Sequence, residues 1–318
     1  MDINWPTLQR LRRGFLAGTA GNADYWRTAE DLRQYDDTFA QRIGWKWDFV
    51  LRDLAELGWQ PTGANIVDWG CGSGVASRAV LDQFGWNAQT KLWLSDRSPL
   101  AVRFATERVR AKHPELRIER VIPDRIDLLI ISHVLTEMSQ PQIEQLVQLA
   151  TKAGAVIWVE PGTYDVSLTL IAIRERLRKQ FQLVAPCTHQ NQCGILAPEN
   201  KPHWCHFFAE PPGEIFIDSF WTKFGQQMEI DLRSLPLSYL VLDRRPVPAS
   251  AANATRVIGR PNLFKPYAEV LGCSAKGVCA CKVMKRTHPD VYRQLKKGKC
   301  PSRLEVETEG DQITGWKI

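Results

Sequence analysis

Three cysteines, Cys187, Cys193 and Cys205, lie downstream of a glycine-rich turn at Gly70-Cys71-Gly72-Ser73-Gly74, and a further group begins at Cys273. Thiolates are ligands for soft metals, so clustered cysteines outside a disulfide setting point to a metal or a cluster. The spacing Cys187-x5-Cys193-x11-Cys205 offers no C-x2-C or C-x4-C pair of the kind zinc ribbons present. His189, His203 and His206 fall in the same stretch and leave a mixed Cys/His zinc site open. Three thiolates from one irregular loop and a fourth from elsewhere also suit a cubane iron–sulfur cluster, in which each iron takes one thiolate. Cys273 is the best fourth candidate because it follows a strand-like run, Tyr267–Leu271; Cys279 and Cys281 are its rivals, and Cys300 reads as an unpaired extra. Spacing alone divides zinc and iron–sulfur almost evenly.

The turn Val67-Asp68-Trp69-Gly70-Cys71-Gly72-Ser73-Gly74 stands where a strand meets a helix. Glycines there let the backbone turn tightly and approach a ligand closely. The G-x-G-x-G spacing differs from the G-x-G-x-x-G of dinucleotide folds, which cradles a pyrophosphate. S-adenosylmethionine has no pyrophosphate. Asp68 is placed to fix the loop and to lie near the ammonium group of such a ligand, and Asp96, at the end of the next strand, to accept ribose hydroxyls. Cys71 reads as a small packed residue. Ser132-His133 follow the fourth strand, where His133 is a candidate general base and more readily a packed residue. Glu137 reads as structural, and Glu160-Pro161-Gly162-Thr163 close the fifth strand at the same rim. Neither an Asn-Pro-Pro-aromatic motif nor a catalytic cysteine pair is present to name a methyl acceptor.

These residues need a scaffold. Residues 1–60 read as a helical N-terminal region, with apolar positions Phe39, Ile43, Trp47, Val50, Leu51, Leu54 and Leu57 at helical spacing, stopped by Gly58, Pro61 and Gly63. Most of the crowded tryptophans Trp5, Trp26, Trp45, Trp47 and Trp59 read as core. Strands and helices then alternate. Strands are expected at Ile66–Trp69, Lys91–Ser95, Leu116–Ile122, Asp127–Ser132, Ala155–Glu160 and Phe181–Ala185. Helices are expected at Val75–Phe84, Pro99–Lys112, Gln140–Ala153 and Ser167–Lys179. That alternation predicts an α/β, Rossmann-like methyltransferase fold, a parallel sheet with helices on both faces, over 61–246. The Cys-rich segment 186–214 becomes an insertion before a seventh strand at Leu237–Asp243. Residues 247–318 read as a small basic appendage with β character and one helix near Pro289–Lys297.

Composition bounds the rest. The chain has 318 residues, 44% hydrophobic and 24% charged, which is ordinary for a globular protein. A net charge of +6 is compatible with a nucleic-acid partner. A basic tract of Lys282, Lys285, Arg286, Arg293, Lys296, Lys297 and Lys299, opposed by Asp290, suits phosphates, with Tyr292 and His288 as candidates to stack on bases. Arg10, Arg12 and Arg13 are a weaker extension of that surface. No apolar signal-peptide core follows the start and no run of 18 apolar residues exists, so a membrane is not an expected partner. A reducing, cytoplasmic compartment is expected.

Read together, Pro186-Cys187-Thr188-His189, Cys193 and Trp204-Cys205-His206-Phe207 resemble the signature of the methyltransferase-like assembly proteins of the mitochondrial small ribosomal subunit and their bacterial relatives. VDWGCGSG (67–74), ISHVLTEM (131–138), WVEPGT (158–163), LSYLVLDRRP (237–246) and Cys273-x3-Gly277 carry the same resemblance, which spans roughly residues 35–300. It implies a 4Fe–4S cluster on Cys187, Cys193, Cys205 and Cys273. It also implies an S-adenosylmethionine site at Asp68, Gly70, Gly72, Gly74 and Asp96, and association with small-subunit rRNA during ribosome assembly. For eukaryotic relatives it implies a mitochondrial location. The chain departs from the family where Lys299-Cys300-Pro301 replaces a Trp-Gly-Asp element. Two rival readings come from the same residues: a small-molecule methyltransferase with structural zinc, and a non-catalytic rRNA-binding assembly factor whose donor pocket is vestigial.

Overall fold

The computed structural model describes residues 3–17, 25–248 and 250–317; positions 1–2 and 18–24 of the N-terminal region, and 249 and 318 of the appendage, lie outside the described residues. In chain order the elements are α1 (Trp5–Leu16), α2 (Ala29–Asp36), α3 (Phe39–Glu56), β1 (Asn65–Trp69), α4 (Val75–Phe84), β2 (Lys91–Ser95), α5 (Pro99–Lys112), β3 (Arg117–Glu119), β4 (Ile126–Ser132), α6 (Gln140–Ala150) and β5 (Ala153–Pro161). They continue with α7 (Tyr164–Leu177), β6 (Gln182–Ala185), β7 (Phe207–Ala209), α8 (Ser219–Gln227), β8 (Leu235–Asp243), β9 (Ala254–Leu263), β10 (Tyr267–Ser274), β11 (Gly277–Met284), α9 (Pro289–Lys296), β12 (Arg303–Glu309) and β13 (Gln312–Lys317). The chain divides into two compact units, one of residues 1–160 and 209–237, the other of 161–208 and 238–318.

The first unit is built on five parallel strands in the order β3-β2-β1-β4-β5. The cores of β4 and β5, Leu128–Ile131 and Ala155–Val159, are apolar runs buried along their length, as strands covered on both faces must be. Local sequence sets the helix limits. Gly58 follows α3 at φ +64°, the amide of Trp59 bonds the Leu54 carbonyl at 3.0 Å, and that of Gly58 bonds Ala55 at 2.9 Å. This is the Schellman stop, with the Trp59 ring buried beside it. Ser139 and Gln142 form a capping box ahead of α6, and Pro99 opens α5 at a position where a missing amide costs nothing. Trp26, Trp45, Trp47 and Trp59 are all core residues. A buried Asp36 fixes α2: its carboxylate takes Arg78 of α4 at 2.6 Å and Arg108 of α5 at 2.8 Å.

In the second unit β6 and β8 pair antiparallel, and β7 pairs with β8. The basic appendage is a closed five-stranded barrel in the order β10-β11-β13-β12-β9. Four of its pairings are antiparallel, and β11 meets β13 in parallel through Lys282 and Gln312. With α9 between the third and fourth barrel strands, this is the OB arrangement. Its core gathers Val257, Ala268, Val270, Cys281, Val283 and Leu295.

Candidate functional site

In the first unit the strand order reverses between β1 and β4, and ligands of open α/β sheets bind beyond the strand ends at such a point. The glycine turn sits there. Gly70, Gly72 and Gly74 have φ of +72°, +52° and +76°. A Cβ on Gly70 would meet the Val134 side chain at 2.6 Å, and one on Gly74 would press Ala105 of α5 at 3.1 Å; a Cβ on Gly72 would meet nothing within 4 Å. Two of the glycines therefore serve packing, and among the described residues nothing stands over the middle one. The Gly72 amide donates to Asp96 Oδ2 at 3.0 Å and the Ser98 amide to Oδ1 at 2.9 Å.

Asp68 is fully buried. Its Oδ2 accepts the Ser77 hydroxyl, while Oδ1 has no hydrogen-bond partner among the described residues. Burial pushes its carboxyl up to about 7, against the Ser77 bonds that pull it down. An orphaned, reluctantly ionised carboxylate beside an open glycine fits the ammonium end of an S-adenosylmethionine molecule. Cys71 is packed, and burial raises its thiol first, then the charges of Asp68 and Asp96.

The β4 rim carries a polar cluster that the sequence disclosed only in part. His133 adopts φ +57°; its Nε2 lies 3.2 Å from Lys46 Nζ and its Nδ1 3.3 Å from Ser132 Oγ. Trp47 Nε1 donates to the same Ser132 hydroxyl at 3.0 Å. Burial, then the Arg42 charge, brings Lys46 down to about 7, and burial, then Lys46 and Arg42, lowers His133. Burial and these cations disfavour a charge on the imidazole, which is a poorer proton acceptor than a solvated histidine. Lys46 went unread because its imidazole partner is 87 residues away; the signal was a lysine between two core tryptophans of α3.

Glu160 braces this rim. Its carboxylate accepts Trp158 Nε1 at 2.8 Å and the Val134 and Leu135 amides at 3.1 and 3.3 Å. Glu137 accepts the Tyr25 hydroxyl at 3.4 Å, and Arg97 lies over the Tyr25 ring at 5.4 Å. Arg10 and Arg12 are engaged within this unit: Arg10 pairs with Asp31 at 2.6 Å, and Arg12 bonds the Glu229 carbonyl at 3.2 Å.

The second unit holds all four of the predicted cysteines. Cys193 belongs to a buried cluster with Ile171, Ile195 and Ile258, and Cys205, Cys273, Leu271 and Val278 pack against it. Every pairing of Cys187, Cys193, Cys205 and Cys273 is close enough for one sulfur's charge to act on the other. Burial first, and those neighbouring sulfurs second, push Cys193 up to about 11, Cys273 up to about 12, and Cys205 well above the usual thiol range. Thiols so placed stay protonated until a cation replaces their protons. Among the described residues no three His, Cys, Asp or Glu side chains stand in metal-holding geometry.

One cation already faces the group. Buried Arg174 of α7 donates Nε to Cys187 Sγ at 3.2 Å and Nη2 to the Asn191 carbonyl at 2.9 Å. The Cys205 carbonyl accepts both Ser167 and Ser238 hydroxyls at 2.7 Å. The loop is also seated on the barrel: Asn191 Nδ2 bonds the Ala275 carbonyl at 3.1 Å, and Thr188 Oγ1 bonds Ala254 at 3.0 Å. Gly194 leaves no room for a Cβ, which would fall 2.9 Å from the Val278 nitrogen. Of the histidines, His189 reaches Cys273, Nε2 to Sγ 3.7 Å, whereas His206 is stacked on Trp204 with ring centres 4.4 Å apart. Cys281 points into the barrel core and Cys279 is exposed, their sulfurs 2.6 Å apart. Cys300 packs against the barrel core.

Tyr292 is buried at the barrel end, its hydroxyl donating to the Phe264 carbonyl at 2.7 Å, and His288 Nε2 lies 3.0 Å from the Ile313 carbonyl. Tyr292 is therefore closed to bases, contrary to the sequence expectation: the apolar side of α9 that carries it is the side that seals the barrel. Among the described residues no helix is long and apolar enough to cross a membrane.

Among solved structures, the chain is similar to a Pyrococcus horikoshii protein described as a candidate RNA methyltransferase, at 12% identity and a TM-score of 0.40, over 62% of this chain and 82% of that one. It is similar also to a SAM-dependent methyltransferase from Aquifex aeolicus, at 14% identity and a TM-score of 0.37, over 50% and 92% of the two chains. No curated protein matches. The model of one family, described as mitochondrial small ribosomal subunit Rsm22, matches residues 45–301, a stretch that takes in the glycine turn, the β4 rim, all four gathered cysteines and most of the barrel. The chain belongs to that small-subunit family.

Proposed function

We propose that this protein binds S-adenosylmethionine at Asp68, Gly70, Gly72, Gly74 and Asp96, carries a 4Fe–4S cluster on Cys187, Cys193, Cys205 and Cys273, and docks on small-subunit rRNA during ribosome assembly. The observation that carries the reading is the meeting of three thiols from one loop with a fourth from β10 in one partly buried place, next to an arginine. Sulfur ligation matches the soft ligand preference of iron–sulfur clusters. When bound, the cluster supplies iron–thiolate bonds that tie the 187–205 insertion to β10. The chain's own residues do the rest. Arg174 sets its positive charge against the Cys187 sulfur. Ser167 and Ser238 fix the backbone at Cys205, and the apolar side chains of Ile171, Ile195 and Ile258 keep water away. In the first unit Asp68 faces the donor's ammonium group and Asp96 its ribose. The family's place with the small subunit supports the rRNA partner, and a mitochondrial or bacterial cytoplasmic location follows from that partner.

Anaerobic purification with an absorbance spectrum, iron and sulfide analysis, and calorimetric titration with S-adenosylmethionine tests it. Brown protein with about four irons per chain is expected. A second reading, structural zinc, is favoured by one contact, His189 to Cys273. Colourless protein with stoichiometric zinc selects it.

A further inference from the structure

In an OB barrel the face of the second and third strands and the adjoining loops bind oligonucleotides. Here those strands are β10 and β11. Ala268, Val270, Cys281 and Val283 point into the barrel, so Tyr267, Glu269 and Leu271 of β10 and Ala280, Lys282 and Met284 of β11 alternate onto its outer face. The cysteine insertion covers one end of that face, where Leu271, Cys273 and Val278 pack on Cys193 and Ile195.

The other end is open and carries rings. Phe264, in the β9–β10 loop, stacks on Tyr267 with centroids 4.7 Å apart and planes 28° apart. It is nevertheless 44% exposed, and its neighbour Leu263 is 45% exposed. The loop is held, not loose: the Phe264 amide bonds the Tyr267 carbonyl at 2.9 Å, the Lys285 amide bonds the Pro266 carbonyl at 3.0 Å, and Tyr292 clamps the Phe264 carbonyl. Cations frame the rings. Lys282 Nζ lies 5.7 Å over the Tyr267 ring, Lys285 Nζ lies 5.5 Å over the Tyr292 ring, and Lys265 is exposed beside Phe264. Glu269 and Asp311 are acidic neighbours of Lys282, the latter paired to it at 2.5 Å.

We propose that the open end of the β10–β11 face is a binding site for single-stranded RNA, with bases stacking on the Phe264–Tyr267 pair and phosphates meeting Lys265, Lys282 and Lys285. The inference rests on the rRNA-docking reading and gives that docking a place and a strand state. A fixed aromatic pair, Phe264 exposed and Tyr267 half-buried, with lysines beside it matches both parts of a single strand, the π-face of each base and the charge between bases. A duplex hides its base faces and has no use for the rings.

The test is fluorescence anisotropy with the full chain, purified anaerobically, against a labelled 12-nucleotide single-stranded RNA and a 12-base-pair RNA duplex. Phe264→Ala and Tyr267→Ala are each expected to weaken single-strand binding by about five-fold to a hundred-fold. Phe264→Trp, which keeps a ring, is expected to bind as the parent does. Lys282→Ala is expected to flatten the slope of log affinity against log salt by about 0.7. If the parent binds the single strand and both alanine variants match it, or if the duplex binds as tightly as the single strand, the barrel site is overturned while rRNA docking stands. If the parent binds neither RNA, both fall.

Discussion

Arg174 offers a perturbation whose size follows from its surroundings. The side chain is 4% exposed and makes three kinds of contact: with Cys187, with the Asn191 carbonyl, and with the Glu175 carboxylate. Glu175 in turn holds Arg178 at 2.7 Å and accepts the Cys193 amide at 3.1 Å. Removing one partner of a buried ion pair costs about 3–5 kcal/mol, because a desolvated charge is left behind. Arg178 still neutralises Glu175, which selects the lower end, and the lost bond to Asn191 adds about 1 kcal/mol. Arg174→Ala is therefore expected to cost about 4 kcal/mol, read as a fall in the denaturant midpoint of metal-free protein. Arg174→Lys keeps the charge near Glu175 but not the fork that spans Cys187 and Asn191, and is expected to lose about 1–2 kcal/mol. The metal-free state matters: it separates the arginine's role in holding the loop from any attraction to a cluster. A loss below about 1 kcal/mol for Arg174→Ala would show that the insertion holds its shape without this cation.

Cys205→Ser and Cys273→Ser are expected to abolish bound iron, while Cys279→Ser keeps it; iron retained in Cys273→Ser would transfer the fourth ligand elsewhere. Affinity for S-adenosylmethionine is expected to rise from about pH 6 to about pH 7.5, because the Asp68 carboxyl, pushed up to about 7 by burial, must ionise to meet an ammonium group. Asp68→Asn is expected to remove that pH dependence, and a calorimetric titration at several pH values checks it. Glu160→Ala strands the Trp158 indole and two rim amides and is expected to cost about 2–4 kcal/mol, whereas Glu160→Gln retains an acceptor and is expected to cost less than half as much; thermal melts compare them.

What could be read from the chain alone was whatever a local pattern demands. The glycine turn declares itself because positive φ admits few other residues, and α4 spans Val75–Phe84 as its periodicity predicts. The runs of β4 and β5 announce buried strands. The strand expected over Leu116–Ile122 shrinks to Arg117–Glu119, because it lies at the sheet edge and Val121 and Ile122 stay exposed. The residues that escaped notice depend on distant partners. Lys46 acquires its meaning from His133, and Arg174 from a cysteine in a later loop. The barrel was hidden for the same reason: its strands alternate weakly, and the pairing that closes it runs through a single register pair, Lys282 and Gln312. The strand-like run Tyr267–Leu271 set Cys273 ahead of Cys279 and Cys281 as the fourth thiol, and the family resemblance pointed to it again, but no spacing rule links a residue on β10 to a loop nearly 70 positions earlier.

Loop and barrel face share one pair of strands, and this constrains how the proposed metal site and RNA site can influence one another. Cys273 and Tyr267 are six residues apart on β10, about 20 Å at strand rise. Between them β10 and β11 are paired in unbroken register from Tyr267–Met284 to Ser274–Gly277. Direct electrostatic reach over such a distance is screened at physiological salt. Any coupling must therefore pass through the packing of Leu271 and Val278 beneath the insertion and through the strand pairing itself. Two classes of variant then separate. Phe264→Ala weakens RNA binding with the metal content intact. A cysteine variant weakens it only to the extent that the uncovered end of β10–β11 frays, and native-state amide exchange at Leu271 and Val278 reports that fraying. Loss of RNA binding in Cys205→Ser with unchanged exchange at those amides contradicts transmission along the strands.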